Sequence, residues 1–436
     1  MKVRYWNEKR ETMPRERLEA LQVRRLKKQV RYAWSKLPLY KKRFKDAGVH
    51  PDDIHGLEDI QSFPFTVKND LRDHYPYGIL ARPLKDIVRI HASSGTTGTP
   101  TVVTYTRNDL ATWTDLMARN YTAAGVGQGD IVQNAYGYGL FTGGLGFHYG
   151  AERVGAKVLP TAAGNTKRQL KMMKDMRSTV LCCTPSYAVY LTEAAVQEGY
   201  HPREDFHLKA GMFGAEPWSD EARKVIEDGF GMKAYDCYGL SEIYGPGVGG
   251  ECYRQDGLHI WEDEILIEIV DPDTGKWVRP GEMGEIVFTM LGREAMPLIR
   301  YRTKDLGWVS VDECDCGRTS TRLMEIRGRT DDMLIIGGVN VFPSQIESVL
   351  LNVAELGEQY QILVDRSKAL ARLSIQVEVS RDFAGRPKGE WAELQGRVEK
   401  EMLATLAINP DIELKEPGAL PRFEGKAVRV VDLSKK

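Results

Sequence analysis

A loop rich in glycine and hydroxyl residues is the sharpest chemical feature of the sequence. It comprises Ser93, Ser94, Gly95, Thr96, Thr97, Gly98 and Thr99, and Pro100 follows it. Glycines let backbone N–H groups turn toward a bound anion, and hydroxyl groups add hydrogen-bond donors without charge. The loop lacks the lysine of the GxxxxGK(S/T) motif, which occurs nowhere in the chain, so an ordinary P-loop NTPase is disfavoured. The residue types favour a phosphate-binding loop, and the alternative is a plain turn between two strands.

Three cysteines and one histidine form a second set with a specific chemistry. Cys314 and Cys316 are separated by one residue, and Cys252 and His259 lie on either side of an Asp–Gly turn. Three thiolates and an imidazole are a common zinc ligand set, although this spacing is not that of a standard finger. We predict a structural zinc site, because four protein ligands leave no open position for a substrate. The alternative is that Cys252 and His259 are unrelated to the later pair.

Five further short motifs follow the glycine-rich loop in order. They are GAEP (214–217), DCYGLSE (236–242), YRTKD (301–305), GRTDD (328–332) and EGK (424–426). Together with the loop they resemble the adenylate-forming superfamily of acyl-CoA synthetases, over residues 60–436. Longer stretches, among them YGYGLFTGG, FGAEPWSDEAR and GRTDDMLIIGGVNVFPSQIE, are similar to the phenylacetate–CoA ligase family within that superfamily.

The resemblance implies a two-step reaction. A carboxylate is a poor acyl donor, because its leaving group would be oxide. The family joins the acid to the α-phosphate of ATP and then displaces AMP with a thiol. The expected function is therefore an ATP-dependent ligase that activates an aryl acetic acid, with phenylacetate the first choice, and transfers the acyl group to coenzyme A. Three alternatives stay open: a CoA ligase for indoleacetate or another aromatic acid, an adenylating enzyme that loads a carrier protein, and a non-catalytic nucleotide-binding regulator.

The resemblance also implies roles for individual residues. The loop of residues 93–99 would hold the β- and γ-phosphates, and Lys426 would reach the carboxylate and the α-phosphate during adenylation. Glu242 would bind Mg²⁺, a cation that prefers carboxylate oxygen. Asp305 would accept hydrogen bonds from the ribose hydroxyls, with Arg329 nearby. The remaining residues expected at the nucleotide are Ala215, Glu216, Pro217, Asp236, Tyr238, Gly239 and Ser241.

Taken singly, three of these residues have ordinary structural alternatives. Glu242 could be a carboxylate at a helix N-terminus, where the helix dipole favours negative charge. Asp305 could cap a turn, and Lys426 could be a solvated lysine near the chain end.

Aromatic and small residues suggest a pocket for the acid. Small-ligand pockets are mostly apolar with a few polar groups, which suits an aryl acetate. The residues expected to line it are Tyr136 and Phe141, with Phe213, Gly214, Ile243 and Pro246 opposite. The alternative for each aromatic residue is that it packs in the core.

These motifs need an α/β scaffold to position them. Residues 1–60 read as a helical lead-in, and strands alternate with helices over 61–240, which predicts a helix-covered parallel sheet. Residues 241–330 read as a small β-rich unit. Residues 331–436 read as a small α+β C-terminal lid domain, with the boundary at Thr330–Asp332.

Two reactions at one acyl site imply motion of that C-terminal domain. The resemblance implies rotation about Asp331, which brings Gly337 and Gly338 to the acyl site. Their lack of side chains would leave room for the pantetheine arm of CoA. The alternative is that Asp331 belongs to an ordinary turn.

Composition narrows the class of protein. The 436 residues carry 60 basic and 61 acidic side chains, so the charge balance does not indicate a nucleic-acid partner. No apolar run approaches the roughly 18 residues of a membrane span, and the N-terminal residues lack the apolar segment of a secretory signal. Six cysteines are too few for a disulfide scaffold. We expect a cytoplasmic enzyme whose partners are an aromatic acid, ATP and CoA, with a homodimer as the expected assembly.

Overall fold

The computed structural model describes residues 4–93, 100–336, 339–365, 372–424 and 426–433. Within these ranges, no helix has both the length and the apolar character required to cross a membrane.

The N-terminal segment is helical, with α1 (Glu8–Glu11), α2 (Arg15–Lys36), α3 (Pro38–Asp46) and α4 (Lys68–Asp73). Short 3-10 helices lie at Pro51–Asp53, Glu58–Ser62 and Leu84–Asp86. One face of α2 is buried, and it carries Leu18, Leu21, Leu26 and Val30. The helix ends where Pro38 follows Leu37, because a proline disfavours helical backbone in the residue before it.

Two strands flank the glycine-rich loop. These are β1 (Ile87–Ser93) and β2 (Thr101–Thr106), which pair antiparallel with Ser93 opposite Thr101. Residues 94–99, which the sequence predicts to bind phosphate, lie outside the described residues. Helix α5 (Arg107–Ala123) follows β2 directly.

A parallel half-sheet forms the centre of the large domain. Its strands are β3 (Ile131–Asn134), β4 (Lys157–Leu159), β5 (Val180–Cys183), β6 (Ala210–Phe213) and β7 (Lys233–Leu240). The helices between them are α6 (Gly143–Arg153), α7 (Thr166–Asp175), α8 (Pro185–Gln197), α9 (Pro202–Asp205) and α10 (Asp220–Phe230). Strands β5 and β6 are buried at every position, as expected when helices cover both faces of a sheet.

The β-rich stretch extends this same sheet. Its strands are β8 (Gly245–Glu251), β9 (Leu258–Ile260), β10 (Ile265–Val270), β11 (Gly284–Met290), β12 (Tyr301–Ser310) and β13 (Arg322–Arg329). The order is β10-β11-β12-β13-β9-β8-β7-β6-β5-β3-β4, with the change from parallel to antiparallel pairing at β7 and β8. The sequence segments 61–240 and 241–330 thus meet in one continuous sheet of eleven strands.

The C-terminal domain has its own core. Its first part comprises β14 (Leu334–Ile336), β15 (Val339–Val341) and α11 (Pro343–Leu351). Then come β16 (Leu356–Asp365), β17 (Arg372–Val379), α12 (Arg381–Ala384), α13 (Lys388–Leu406), β18 (Asp411–Lys415) and β19 (Val430–Asp432). Strands β18-β17-β16-β19 form a separate sheet. The predicted fold class, a large α/β domain followed by a small α+β domain, is confirmed.

Candidate active site

A cavity of about 1590 Å³ lies between the two domains. It opens at the carboxyl ends of β3, β5, β6 and β7, where residues such as Tyr136, Thr184, Gly214 and Gly239 line it. Carboxyl ends of parallel strands are the usual ligand site of such sheets, because side chains and backbone N–H groups of successive loops converge there. Lys426 reaches the same cavity from the C-terminal domain.

The backbone is unusually close-packed where the motifs after β6 and within β7 line the cavity. A Cβ on Gly214 would lie 2.2 Å from the Cys237 carbonyl oxygen, and one on Gly239 would lie 2.0 Å from the Gly245 carbonyl oxygen. Ala215 has a φ of 74°, a strained value for a residue with a side chain. The predicted nucleotide residues Pro217 and Ser241 also line this region.

Asp236 lines the cavity and lies beside a second acidic residue, Glu251. Its backbone N–H donates to Glu251 Oε2 at 2.7 Å, and Arg223 binds both carboxylate oxygens of Glu251 at 2.8 and 2.9 Å. Burial, reinforced by the charge of Glu251, raises the pKa of Asp236 to about 7. Its side chain can therefore act as a hydrogen-bond donor or as an acceptor near neutral pH.

Asp305 and Arg329 lie together at the end of the paired strands β12 and β13. The Tyr238 hydroxyl donates a hydrogen bond to Asp305, and Arg329 lies 3.5 Å from its other carboxylate oxygen. Burial raises the pKa of Asp305 to about 6, although Tyr238 and Arg329 both act to lower it. Asp305 lines the cavity, where its carboxyl group can accept hydrogen bonds from ribose hydroxyls.

Glu242 is a further buried carboxylate that lines the cavity. Its side chain is 5% exposed, and Oε1 accepts no well-aligned hydrogen bond from the described residues, although Lys68 Nζ lies 3.2 Å away. An under-satisfied carboxylate oxygen facing a cavity fits a Mg²⁺ ligand, because this cation prefers oxygen donors. Ser93, the one predicted loop residue that the structure describes, also lines the cavity.

Aromatic residues line the part of the cavity that the sequence predicts to bind the acid. The Tyr136 ring stacks on Phe147 with ring centroids 4.6 Å apart, and its hydroxyl donates to the Gly214 carbonyl at 3.3 Å. Phe141 and Pro246 also line the cavity, and Phe141 is 46% exposed. Rings and a proline thus line this part of the cavity, and such side chains suit an aromatic ligand.

Two residues expected in the acid pocket lie elsewhere. Phe213 is fully buried among the helices beside β6, 5.8 Å from the Trp218 ring, and Ile243 is fully buried in the main core. Successive side chains of a strand point to opposite faces, so Phe213 points away from the cavity that Gly214 lines. The structure thus corrects the sequence expectation for both residues and places them behind the cavity wall.

The predicted hinge and CoA residues have different outcomes. Asp331 is exposed, and its carboxylate accepts from Arg329 Nε at 2.9 Å and from Lys304 Nζ at 3.3 Å. It lies two residues after the end of β13 and lines the cavity. Gly337 and Gly338 lie outside the described residues.

The four predicted metal ligands come together and are not among the residues that line this cavity. The Cys316 Sγ lies 3.3 Å from His259 Nε2, and Cys252 Sγ lies 3.8 Å from Cys314 Sγ. All four ligand atoms lie within 4.8 Å of one another, and all four residues are buried. The other ring nitrogen of His259 lies 3.2 Å from Ser320 Oγ, a contact that orients the imidazole toward the thiols.

Comparison with known proteins places the chain in a family. The AMP-binding enzyme family matches residues 27–292, and the AMP-binding enzyme C-terminal domain matches residues 338–434. Phenylacetate-coenzyme A ligase of Thermus thermophilus is 47% identical over 98% of both chains. The enzymes of the same name from Pseudomonas putida and Escherichia coli are 46% and 45% identical over 97% of this chain and 95% and 96% of theirs. This chain belongs to the phenylacetate–CoA ligase family.

Membership in the phenylacetate–CoA ligase family confirms the enzyme class that the motifs predict. The chain is an AMP-forming acid–CoA ligase, and its small-molecule substrates include ATP and CoA. The non-catalytic regulator and the carrier-loading enzyme are not favoured.

The conformation of this phenylacetate–CoA ligase family member matches one state of a solved relative. A crystal structure of 2-hydroxyisobutyryl-CoA ligase in the postadenylation state has a TM-score of 0.93 at 31% identity, over 98% of this chain and 92% of that chain. The same ligase in the thioesterification state has a TM-score of 0.74 at 32% identity over the same shares. Since identity and coverage barely differ, the lower score reflects the arrangement of the chain rather than its fold.

Sequence reasoning missed several residues of the site. Lys68 faces Glu242, Phe147 stacks on Tyr136, and Tyr187 lines the cavity from α8. Glu424 lies within the EGK motif but had no predicted role. No local signal marks Lys68, because α4 is a short helix of ordinary composition that reaches the cavity only through the fold.

Proposed function

We propose that this ligase activates phenylacetate and transfers the phenylacetyl group to CoA. The observation that carries the proposal is the meeting of Lys426, Glu242 and Asp305 around one cavity with the Tyr136–Phe147 aromatic recess. Four relatives named phenylacetate-coenzyme A ligase, 44–47% identical over nearly the whole chain, support the same acid.

In the first step, a carboxylate oxygen of the acid attacks the α-phosphorus of ATP, and the bond to the bridging oxygen breaks to release pyrophosphate. Two anions must approach, so positive charge at the phosphates lowers the barrier. Lys426 supplies that charge at the α-phosphate, and the 93–99 loop donates to the β- and γ-phosphates. Glu242 is the residue that would hold Mg²⁺, which supplies further positive charge when bound.

In the second step, the CoA sulfur attacks the acyl carbon, and AMP leaves with the former carboxylate oxygen. The thiol proton passes to solvent. Asp305 holds the ribose in both steps, while Lys426 is needed only in the first. We propose that the C-terminal domain moves about Asp331 between the steps and that Gly337 and Gly338 then approach the acyl site. The two TM-scores against one relative in two states support this motion.

A panel of acids tests the substrate. Pyrophosphate release is measured with and without CoA for phenylacetate, indoleacetate, benzoate, 2-hydroxyisobutyrate and acetate. We expect phenylacetate to have the highest kcat/KM, by at least about tenfold over the aliphatic acids, and full turnover to require CoA. A preference for indoleacetate or an aliphatic acid would contradict the proposal.

Two variants test whether the aromatic recess contributes to binding of the acid. Tyr136→Leu removes the stacked ring, and we expect the KM for phenylacetate to rise about tenfold. Phe213→Leu is the matched control, since Phe213 lies behind the cavity wall and its loss should leave that KM unchanged. Equal effects of both variants would mean that stability, not recognition, is being measured.

We also propose that Cys252, His259, Cys314 and Cys316 bind one structural zinc ion. Their ligand atoms already lie within 4.8 Å of one another, and three thiolates with one imidazole complete a tetrahedral zinc shell. The loop that carries Cys314 and Cys316 also holds the N-terminal segment, because the Tyr5 hydroxyl donates to the Cys316 carbonyl at 2.7 Å. Zinc there would tie two distant parts of the chain together.

Metal analysis of protein purified without added zinc tests this site. We expect about one zinc per chain, and none in the Cys314→Ser/Cys316→Ser double variant, which should also melt at a lower temperature. Cys182→Ser is the matched control, because Cys182 is buried outside the cluster and its variant should keep the metal. Metal-free wild-type protein with an unchanged melting temperature would refute the proposal.

We place the enzyme in the cytoplasm. All six cysteines are free, and three would serve as reduced zinc ligands, both of which suit a reducing compartment. The homodimer stays a prediction, which light scattering on purified protein would measure.

A further inference from the structure

The loop that carries Lys426 touches the large domain on both sides of the lysine. It connects β18 to β19. On one side, Glu424 accepts hydrogen bonds from the Thr166 hydroxyl at 2.9 Å, the Thr166 N–H at 3.2 Å and the Asn165 N–H at 3.1 Å. On the other side, the Ala427 N–H donates to Glu216 Oε2 at 3.4 Å. Lys426 is thus held between two contacts to the large domain.

The carboxylate of Glu424 lies at the start of α7. The first N–H groups of a helix lack internal partners, and negative charge is stabilised there by the helix dipole. The Asn165 side chain already accepts from the Arg168 N–H, so Glu424 serves two other N–H groups. Burial raises the pKa of Glu424, but the bonds from Thr166 and Asn165 outweigh it and leave that pKa below its usual value.

The backbone before α7 is shaped for this close approach. Gly164 has a φ of 86°, and a Cβ there would lie 3.0 Å from Glu424 Oε2. Asn165 also lies in the left-handed region, with a φ of 56°. The Thr166 hydroxyl has a second partner, the Tyr187 hydroxyl at 3.2 Å, which links the contact to the cavity wall.

We propose that Glu424 is a positioning residue that latches the Lys426 loop onto α7 during adenylation and releases it for thioester formation. This rests on the proposed function, since it assigns Lys426 to the first step only. Glu424 belongs to the C-terminal domain and α7 to the large domain, so the contact exists in one arrangement of the domains. The free energy of this contact therefore stabilises only the domain arrangement in which the contact forms.

The test separates the two half-reactions. In Glu424→Gln and Glu424→Ala, we expect ATP–pyrophosphate exchange with phenylacetate to fall about tenfold, as for the loss of a charge-assisted hydrogen bond. Thioester formation from supplied phenylacetyl-adenylate and CoA should stay at the wild-type rate or rise. Glu416→Gln, an exposed carboxylate of the same loop, is the matched control and should leave both rates unchanged.

The partner variant tests whether Glu424 acts through α7. Thr166→Val removes the hydroxyl while it keeps the N–H, and we expect a smaller loss of exchange activity. Because both groups belong to one contact, the double variant Thr166→Val/Glu424→Ala should lose no more than Glu424→Ala alone. Multiplicative losses would show independent roles and overturn the latch.

Hydrogen exchange gives a readout that does not depend on turnover. With ATP and Mg²⁺ present, the Asn165 and Thr166 amides should exchange faster in Glu424→Ala than in the wild type. If wild-type protein forms adenylate but Glu424→Ala loses both half-reactions equally, or neither, the latch is wrong. If the wild type forms no adenylate from any aryl acetic acid, the proposed function fails, and the exchange of these amides still decides whether the contact forms.

Discussion

Three carboxylates that line the cavity differ in their surroundings. Asp236 shares its site with the charge of Glu251, Asp305 is buried beside Arg329 and Tyr238, and Glu242 faces Lys68. The first two have raised pKa values, because burial penalises the charged form. Such carboxylates cost stability in the empty protein and become useful when a ligand supplies donors or positive charge.

Asp305→Asn tests whether this buried carboxylate lowers stability while it serves ligand binding. The folded pKa of Asp305, about 6, exceeds its ordinary 3.8, so the native state holds a proton more tightly than the unfolded state and loses stability as pH rises from about 4 to about 6. We expect the variant to raise the free energy of unfolding at pH 7.5 by about 1–3 kcal/mol, and by less at pH 5, while ATP binding is lost. Chemical denaturation at both pH values measures it, and a variant less stable than wild type at pH 7.5 would contradict it.

Lys426→Ala isolates the charge at the α-phosphate. We expect ATP–pyrophosphate exchange to fall by a factor on the order of 100 or more, since one cation or donor at a developing negative charge commonly has that effect. Thioester formation from supplied acyl-adenylate should be spared. Equal loss of both half-reactions would show that Lys426 has another role.

At the scale of elements, buried ion pairs join segments that are distant in sequence. Glu11 in α1 pairs with Arg318 beside the cysteine loop at 2.8 Å, and their side chains are 0% and 1% exposed. The Arg31–Asp52 pair between α2 and the next 3-10 helix is 61% exposed on both sides. The first pair fixes where the N-terminal segment packs, whereas the second is screened by water.

These two pairs make a matched comparison. Glu11→Ala leaves a buried guanidinium without its carboxylate, and we expect it to lower the free energy of unfolding by about 3–5 kcal/mol. Asp52→Ala should change it by less than about 1 kcal/mol. Urea denaturation of both variants measures the difference, and similar losses would show that burial does not control these pairs.

At the scale of the whole molecule, one acyl site must serve two chemistries. The Lys426 loop contacts the large domain through Glu424 and Ala427, and we propose that this arrangement serves adenylation. Under this proposal, that loop must withdraw before CoA reaches the acyl carbon. Asp331 is exposed and lies two residues after β13, so backbone rotation there would disturb little besides its own ion pairs with Arg329 and Lys304.

Asp331→Pro tests the pivot. Proline fixes φ and removes the N–H, so we expect one half-reaction to survive and the other to fall at least about tenfold. Asp331→Ala is the control, because it removes the ion pairs with Arg329 and Lys304 but leaves the backbone free, and both half-reactions should persist. Near wild-type rates for both half-reactions in the proline variant would place the hinge elsewhere.

The sequence by itself determined the family, the fold class and the order of the motifs, because these depend on residue types and their spacing along the chain. It also paired Cys252 and His259 with Cys314 and Cys316, since few ligand sets suit zinc. Period-two alternation, continued one residue past the end of β6, separates Phe213 from Gly214.

Tertiary structure alone decided which side chains meet across the fold. Lys68 reaches Glu242 across more than 170 positions, and Glu424 reaches Thr166 across 258. No local pattern specifies such contacts, because they depend on how α4, α7 and the C-terminal domain pack against the sheet. The sequence thus specifies which residue types can do the chemistry, and packing decides which of them are held together.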